Sequence, residues 1–366
     1  MGGPGFPAAF GTARGRRRVR QAMTDAALVR LLTREYGIQP LCILPIKTVW
    51  GVVDVRGGRY IWKPAGRHDG QRRLLELARF AQGIAPALTL AAPVFTRGGR
   101  MLSGWDGQLG YLQPWLAGRH VLLSNPDERL SALRTLLQLH ELSQSWLSAL
   151  PSFVQRAGLA ARMTGKLRTL HSVWPQAEAA WPALARARGL VFAMAGACPV
   201  GPAEPVTGVA FCHRDAAPHN LIWLSGQSKR EASQAVQDPC AGRIALIDFD
   251  RAGWDDPLVD VMQLFNHSVY FAPPGATEVR RWMDAYQQAA ALSESTEERA
   301  WRLLLFPDVL VRALAEWYGQ GLPARGRLRV SAALHKERQR WLAWQQDYRE
   351  RFGATQLRRV VARPWS

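Results

Sequence analysis

The spacing of apolar residues predicts strands in the first part of the chain. Apolar and β-branched residues occupy 41–44 and alternate with others over 49–55, and the turn R-G-G-R (56–59) precedes a returning strand at 60–63. A helix is predicted over 71–82, because apolar residues recur there at intervals of three and four positions. These elements indicate a small, β-rich region.

The rest of the chain is mainly helical in its pattern. A short strand pair is still expected at 92–95 and 101–102. Beyond it, leucines recur at helical spacing over 127–144, and similar patterns predict helices over 301–318 and 330–352. The chain therefore belongs to the α+β class, with strands first and helices afterwards.

Two short apolar runs interrupt the helical region. Beside each run lies a cluster of polar side chains that could act in catalysis or bind a metal ion. The motif H-x-D-x-x-x-x-N, just before the first run, contains Asp215 and Asn220. The motif I-D-F-D, at the end of the second run, contains Asp248 and Asp250. A hairpin with a long polar loop, 225–242, is expected to join the runs and to bring the motifs together.

This combination suits the transfer of a phosphoryl group from ATP. Asp215 can accept the proton of an acceptor hydroxyl, and Mg²⁺, which prefers hard oxygen ligands, can bind Asn220 and Asp248. The chain from Asp248 to Asp260 is too short for the segment with which protein kinases dock polypeptides, so a small-molecule acceptor is predicted. Asp260 is expected to anchor the segment 213–220, which we call the catalytic loop.

The β-rich region has the order of elements found in a kinase nucleotide lobe. Lys63 ends a strand, where it can bind the α- and β-phosphates, and Glu76 in the following helix can hold it. The expected phosphate loop spans 46–51 and contains Lys47 and Thr48, with a single glycine. Glycines normally let backbone amides approach phosphates closely, so this loop is atypical.

The apolar segment 110–118 is expected to be either a hinge between two lobes or an ordinary buried strand and turn. As a hinge, it would offer the adenine of ATP hydrogen bonds from backbone groups near Gln113 and Trp115. The predicted boundaries are a disordered basic extension at 1–23, a nucleotide-binding N-lobe at 24–112, a hinge at 113–118 and a helical C-lobe with the acceptor site at 119–366.

The motifs resemble those of the aminoglycoside phosphotransferase and choline kinase superfamily, a branch of the protein-kinase-like fold. Within it, H-R-D-A-A-P-H-N (213–220) with I-D-F-D (247–250) is most similar to the CotS-type kinase-like proteins of the spore coat. The resemblance implies a two-lobed α+β fold, with a small antiparallel β-sheet N-lobe and a larger, mainly helical C-lobe.

By this likeness, Asp215 is the catalytic base, Lys63 binds phosphate, and Asn220, Asp248 and Asp250 bind Mg²⁺. The implied activity is ATP- and Mg²⁺-dependent phosphorylation of a hydroxyl of a small molecule, such as a sugar or its derivative, in the cytoplasm. The glycine-poor loop leaves an alternative open. The chain could be a weakly active or inactive kinase-like protein with a structural role in the spore coat, where it would bind other coat proteins.

Composition and charge argue against several classes of protein and partner. The chain of 366 residues is 48% hydrophobic and 21% charged, which indicates a soluble globular protein, and it has no apolar run long enough to span a membrane. The net charge of +18 comes mainly from arginines scattered along the sequence, which disfavours a nucleic-acid partner. Basic residues outnumber acidic ones beyond Thr296. If this segment lines the acceptor site, as the resemblance implies, its charge favours a neutral or anionic acceptor over a polycationic aminoglycoside.

The first residues and the cysteines add little chemistry. The extension 1–23 is rich in glycine and arginine and has no acidic residue; a mitochondrial-type presequence is the other interpretation, and Met23 is an alternative start. The four cysteines have no metal-ligand spacing and suit a reducing compartment as small core residues.

Overall fold

A computed structural model describes residues 25–67, 69–105, 108–154, 158–198, 208–224, 244–290 and 293–361. The predicted extension 1–23, the polar loop 225–242 and Cys240 lie outside these ranges. The chain divides into two compact units, Met1–Ala78 with Ala92–Leu116 and Arg79–Ala91 with Ala117–Ser366.

The first unit is built on a five-stranded antiparallel sheet with the strand order β1-β2-β3-β5-β4. Its elements are α1 (Asp25–Tyr36), β1 (Pro40–Ile46), β2 (Val49–Asp54), β3 (Arg59–Pro64), α2 (Gln71–Ile84), β4 (Ser103–Trp105) and β5 (Gln108–Pro114). The chain passes into the second unit within α2.

One face of this sheet is apolar because alternate strand residues point to the same side. Val52, Trp62 and Leu112 are fully buried there and cluster with Leu31 of α1. Trp50 joins them and meets Trp62 edge to face, with 5.6 Å between ring centroids. This core fixes the register of β2, β3 and β5.

The expected hairpin around 56–59 and the helix beginning at Gln71 are confirmed, but the strand pair at 92–95 and 101–102 is wrong. Val94 makes only a single bridge, to Leu112. The backbone N–H groups of Met101 and Leu102 instead donate to the side chain of Gln71, at 2.9 and 3.2 Å. A strand ladder cannot use those donors twice, so β4 begins at Ser103.

The second unit is mainly helical, with two small sheets of order β6-β8-β9 and β10-β7. Its elements are β6 (Gly118–His120), α3 (Pro126–Ser143), α4 (Gly158–Ala180), α5 (Arg188–Ala197), β7 (Ala210–Cys212), β8 (Leu221–Leu224), β9 (Ile244–Leu246), β10 (Gly253–Asp255), α6 (Leu258–Phe271), α7 (Ala276–Ala290), α8 (Glu294–Leu303), α9 (Asp308–Gly319), α10 (Ala324–Phe352) and α11 (Ala354–Val361). The hairpin expected between the two motif strands is present, since β8 pairs antiparallel with β9.

The predicted helix over 301–318 is wrong as a single element. It is divided into α8 and α9, because Pro307 has no N–H to donate and restricts the residue before it. The N-terminus of α9 is capped from another helix: the buried carboxylate of Glu337 accepts hydrogen bonds from the N–H groups of Val309 and Leu310, at 2.9 and 3.3 Å. In the described part of the chain, no helix is long and apolar enough to span a membrane.

Candidate active site

The H-x-D-x-x-x-x-N motif lies in the short connection between β7 and β8. A 3-10 turn, Pro218–Asn220, forms its second half. In its first half, Arg214 has a left-handed conformation with φ of 64°, and half-buried Asp215 follows it. A non-glycine residue is strained in this conformation, so contacts from other elements must hold the loop.

Asp260 in α6 supplies those contacts. Its two carboxylate oxygens accept hydrogen bonds of 2.7 Å from the backbone N–H groups of His213 and Arg214, and Nε2 of His140 lies 3.0 Å away. Burial opposes ionisation of Asp260, but His140, His213 and the Arg214 amide outweigh it, and the pKa lies below its ordinary value. Asp260 is therefore the anchor that the sequence indicated, and His140 is its partner.

His140, Cys212 and Asp260 also place metal-compatible atoms within 4.8 Å of one another. Both oxygens of Asp260 are already hydrogen-bonded to the loop. Burial raises the pKa of the Cys212 thiol well above its ordinary value, which keeps the sulfur protonated and a poor ligand. The cluster is thus a hydrogen-bonded support of the catalytic loop and not a metal centre.

His213 joins the catalytic loop to the I-D-F-D segment. Its Nε2 lies 2.8 Å from the carbonyl oxygen of Ile247, and its Nδ1 lies 3.3 Å from the backbone nitrogen of Asp215. A carbonyl oxygen only accepts and an amide N–H only donates, so these contacts select the tautomer with its proton on Nε2. The ring therefore connects Asp215 with the residue before Asp248.

Asn220 forms a second connection between the same segments. Its side-chain Nδ2 donates to the carbonyl oxygen of Asp215 at 2.9 Å, and its backbone oxygen accepts from the N–H of Ile247 at 3.0 Å. Since the NH₂ group faces the loop, the side-chain oxygen is the atom available to a ligand. Asp248 follows Ile247 in a left-handed conformation with φ of 66°, and Asp250 is half-buried two residues later.

Gln263, almost one helical turn after Asp260, holds the loop from the same helix. Its Nε2 donates to the carbonyl oxygen of Arg214 at 2.9 Å, and its Oε1 accepts from the N–H of Ala216 at 3.2 Å. Sequence reasoning missed this residue. No local pattern marks it, because its partners lie 49 and 47 residues earlier.

Two of the residues predicted to bind nucleotide lie on β3 and α2 of the first unit. Lys63 is paired with Tyr111 of β5, and its Nζ lies 5.9 Å from the centre of the Tyr111 ring. Glu76 is buried on α2, with its Oε1 3.0 Å from Nε of Arg72. The nucleotide-binding roles of Lys63 and Glu76 stay predictions.

The turn expected to cover the phosphates is shorter than the sequence suggested. β1 and β2 pair as far as Ile46 and Val49, so only Lys47 and Thr48 form the turn, and both are exposed. Lys47 has φ of 52°. The predicted extent of 46–51 is therefore wrong, because β-branched Val49 and the residues after it continue the strand.

Gln113 and Trp115 occupy the end of β5 and the residue just after it. Gln113 is buried and lies opposite Ile61 of β3, and the N–H of Trp115 donates to the carbonyl oxygen of Arg59 at 3.0 Å. The indole of Trp115 rests against the backbone of Gly51, where an added Cβ would lie 2.5 Å from Cζ3. Only glycine allows this approach.

Known proteins resemble this chain in sequence profile and in fold. The sequence profile of the phosphotransferase enzyme family (APH) matches residues 47–305. Among solved structures, an aminoglycoside phosphotransferase from Alicyclobacillus acidocaldarius is similar with a TM-score of 0.66 and 16% identity, over 93% of this chain and 96% of that chain. A search of curated proteins found no match.

Two further solved structures were determined with bound ligands. Amicoumacin kinase with AMP-PNP and Ca²⁺ has a TM-score of 0.57 and 13% identity, over 88% of this chain and 95% of that chain. Spectinomycin phosphotransferase with ADP and spectinomycin has a TM-score of 0.55 and 15% identity, over 93% and 98%. At these identities the likeness is one of fold, and the α+β fold expected from the sequence is confirmed.

Proposed function

Because this chain belongs to the phosphotransferase enzyme family, we propose that it transfers the γ-phosphoryl group of ATP to a hydroxyl of a small molecule, such as a sugar or its derivative. One observation carries the proposal. His213 and Asn220 join the backbone of Asp215 directly to the residue that precedes Asp248. The backbone segments that carry Asp215 and Asp248, which are far apart in the sequence, are thereby held side by side. This supports the proposal because phosphoryl transfer depends mainly on positioning.

Asp215 acts as the base. The oxygen of the acceptor hydroxyl forms a bond to the γ-phosphorus as its proton passes to the Asp215 carboxylate. The bond from the γ-phosphorus to the bridging oxygen breaks, and ADP leaves with that electron pair. Asp215 then releases the proton to solvent. Its backbone N–H and carbonyl are both hydrogen-bonded, so the loop needs little reorganisation during the reaction.

The oxygen donors beside Asp215 fit a hard divalent cation. Asn220 offers its amide oxygen, since its nitrogen is already bonded to the loop, and Asp248 and Asp250 offer carboxylates. Bound Mg²⁺ would supply neutralisation of the phosphate charge. We assign the nucleotide to the first unit's predicted residues. Lys63 binds the α- and β-phosphates and Glu76 holds Lys63, Lys47 and Thr48 cover the phosphates, and Gln113 and Trp115 bind adenine.

Thermal unfolding with and without Mg·ATP tests the proposal. At about 100 times its Kd, the nucleotide should add roughly 2.7 kcal/mol to the free energy of unfolding. Asp248→Ala should abolish the Mg²⁺-dependent part, whereas Asp127→Ala, at an exposed site on α3, should keep it. A shift that survives Asp248→Ala unchanged would refute the metal assignment.

No shift in the wild-type protein would instead favour the second candidate, a structural kinase-like protein such as a spore-coat component. The exposed two-residue turn at Lys47 and Thr48 favours this alternative, because it offers few backbone amides to phosphates.

A further inference from the structure

A cavity of about 470 Å³ lies among α6, α9 and α10 of the second unit, a volume that suits a small molecule. Helix α6 lines it with His267 and Tyr270, which follow Gln263 by four and seven residues and so share its face of the helix. Gln263 itself binds the catalytic loop. The cavity therefore begins about one helical turn, or roughly 6 Å along the axis, from the loop that carries Asp215.

The carboxylates at this cavity are already neutralised by cations. Asp308, at the start of α9, lies 2.5 Å from Nζ of Lys166 and 2.8 Å from Nε of Arg312. Glu316 pairs with Arg329, with 3.4 Å between Oε2 and Nη1. Asp308 is thus paired with two cations and Glu316 with one, so the net charge of these five groups is positive.

Lys336 adds to that excess. Its Nζ donates to the carbonyl oxygen of Tyr270 and lies 4.7 Å from the centre of the Tyr270 ring. Both of these contacts of Lys336 with described residues are to uncharged groups, so neither contact neutralises its charge. Burial, followed by the charge of Arg312, lowers the pKa of His267 to about 4, so His267 is neutral at pH 7. The negative charge of Asp215 acts in the opposite direction and raises this pKa, as expected for a cavity beside the catalytic loop.

We propose that this cavity is the acceptor site and that the acceptor carries an anionic group in addition to its reactive hydroxyl. This inference rests on the proposed function and names its substrate class: hydroxylated carboxylates or phosphate esters. Lys336 and Arg329 bind the anion, and the hydroxyl is directed toward Asp215. A polycationic aminoglycoside would place its ammonium groups against an existing positive excess, so the site selects against it.

Calorimetric titration at low ionic strength, without nucleotide, tests this selectivity. The probes are glucose 6-phosphate, gluconate, glucose and kanamycin. At least one of the two anions should bind, and glucose and kanamycin should bind at least about tenfold more weakly, as expected for loss of one charge-assisted hydrogen bond. The two anionic probes distinguish a phosphate from a carboxylate. Binding by neither anion, or equal or tighter binding of glucose or kanamycin, would overturn the inference.

A pair of variants on α10 locates the anion. Lys336→Gln should weaken binding of the anion about tenfold. Arg338→Gln removes the same charge two residues later, at an exposed position on another face of the helix, and should leave the affinity unchanged. Equal losses in both variants would mean a general charge effect and would refute the site.

Parallel measurement of Mg·ATP binding separates this inference from the proposed function. A protein that binds Mg·ATP without preferring anionic probes refutes the acceptor class alone. A protein that selects the anions but does not bind Mg·ATP refutes the phosphotransferase proposal, while the cavity's selectivity stands.

Discussion

The buried carboxylate of Asp260 accepts a hydrogen bond of 2.7 Å from the backbone N–H of His213, 47 residues earlier in the chain. Its other oxygen holds Arg214 in the left-handed conformation that precedes Asp215. The position of the candidate base is therefore set from α6. Asp260 is a positioning residue, since its described partners are the loop and His140.

Replacing Asp260 with Asn should destabilise the protein by about 2–4 kcal/mol, because an amide turns one acceptor oxygen into an NH₂ that faces another N–H donor. Urea denaturation measures this loss. In a folded variant, kcat should fall while KM for ATP stays close to the wild-type value. The control is Asp284→Asn, in an exposed pair with Arg351, which should change stability by less than about 0.5 kcal/mol. Equal effects would contradict the anchoring role.

Replacing Asp215 with Asn should lower kcat about 10²- to 10⁴-fold, because the amide cannot accept the hydroxyl proton. The melting temperature and Mg·ATP affinity should stay unchanged, since the described hydrogen bonds of Asp215 use its backbone. A coupled assay of ADP release with the acceptor checks the rate, with Asp127→Asn as the control. Full activity in Asp215→Asn would remove it from the mechanism.

Replacing Gly51 with Ala should destabilise the protein by about 1–3 kcal/mol, because the new methyl group would lie 2.5 Å from Trp115 and the indole must move. If Trp115 contacts adenine as proposed, ATP affinity should fall as well. Gly165→Ala is the matched control: no neighbouring atom lies within 4 Å of its added Cβ, and an alanine in helix α4 should stabilise by about 0.5–1 kcal/mol. Unchanged ATP affinity in Gly51→Ala would count against Trp115.

Glu337 should make stability depend on pH. Burial raises its pKa to about 7, although Arg340 beside it acts in the opposite direction. Above the unfolded value near 4.5, the folded state keeps a proton that the unfolded state has lost, so stability falls as pH rises toward 7, by up to about 1.4 kcal/mol per pH unit.

Glu337→Gln should remove this dependence. The free energy of unfolding of the variant minus that of wild type should therefore increase by at least about 1 kcal/mol as the pH is raised from 5 to 8. Chemical denaturation across that range measures the difference. The control is Glu141→Gln at an exposed position on α3, which should follow the wild-type curve. A constant difference between Glu337→Gln and wild type would contradict the raised pKa.

Local patterns predicted most elements, and their errors have identifiable causes. The hairpin of β2 and β3 and the start of α2 followed from alternation and helical spacing. The strand predicted at 101–102 failed because Gln71 takes its amides, and the long helix over 301–318 failed because Pro307 divides it. The turn expected to cover the phosphates was predicted too long. It contains only Lys47 and Thr48, because β1 and β2 pair as far as Ile46 and Val49.

The sequence alone identified the candidate chemistry, because Asp215, Asn220 and Asp248 lie in short motifs whose residue types and spacing are legible one after another. Only the tertiary structure decided how that chemistry is held and which of the basic residues line a cavity. The supporting contacts of Gln263 and the positive excess near Lys336 arise between residues distant in the chain. Hydrogen bonds and charges act through space, whereas a sequence pattern records only neighbours along the backbone.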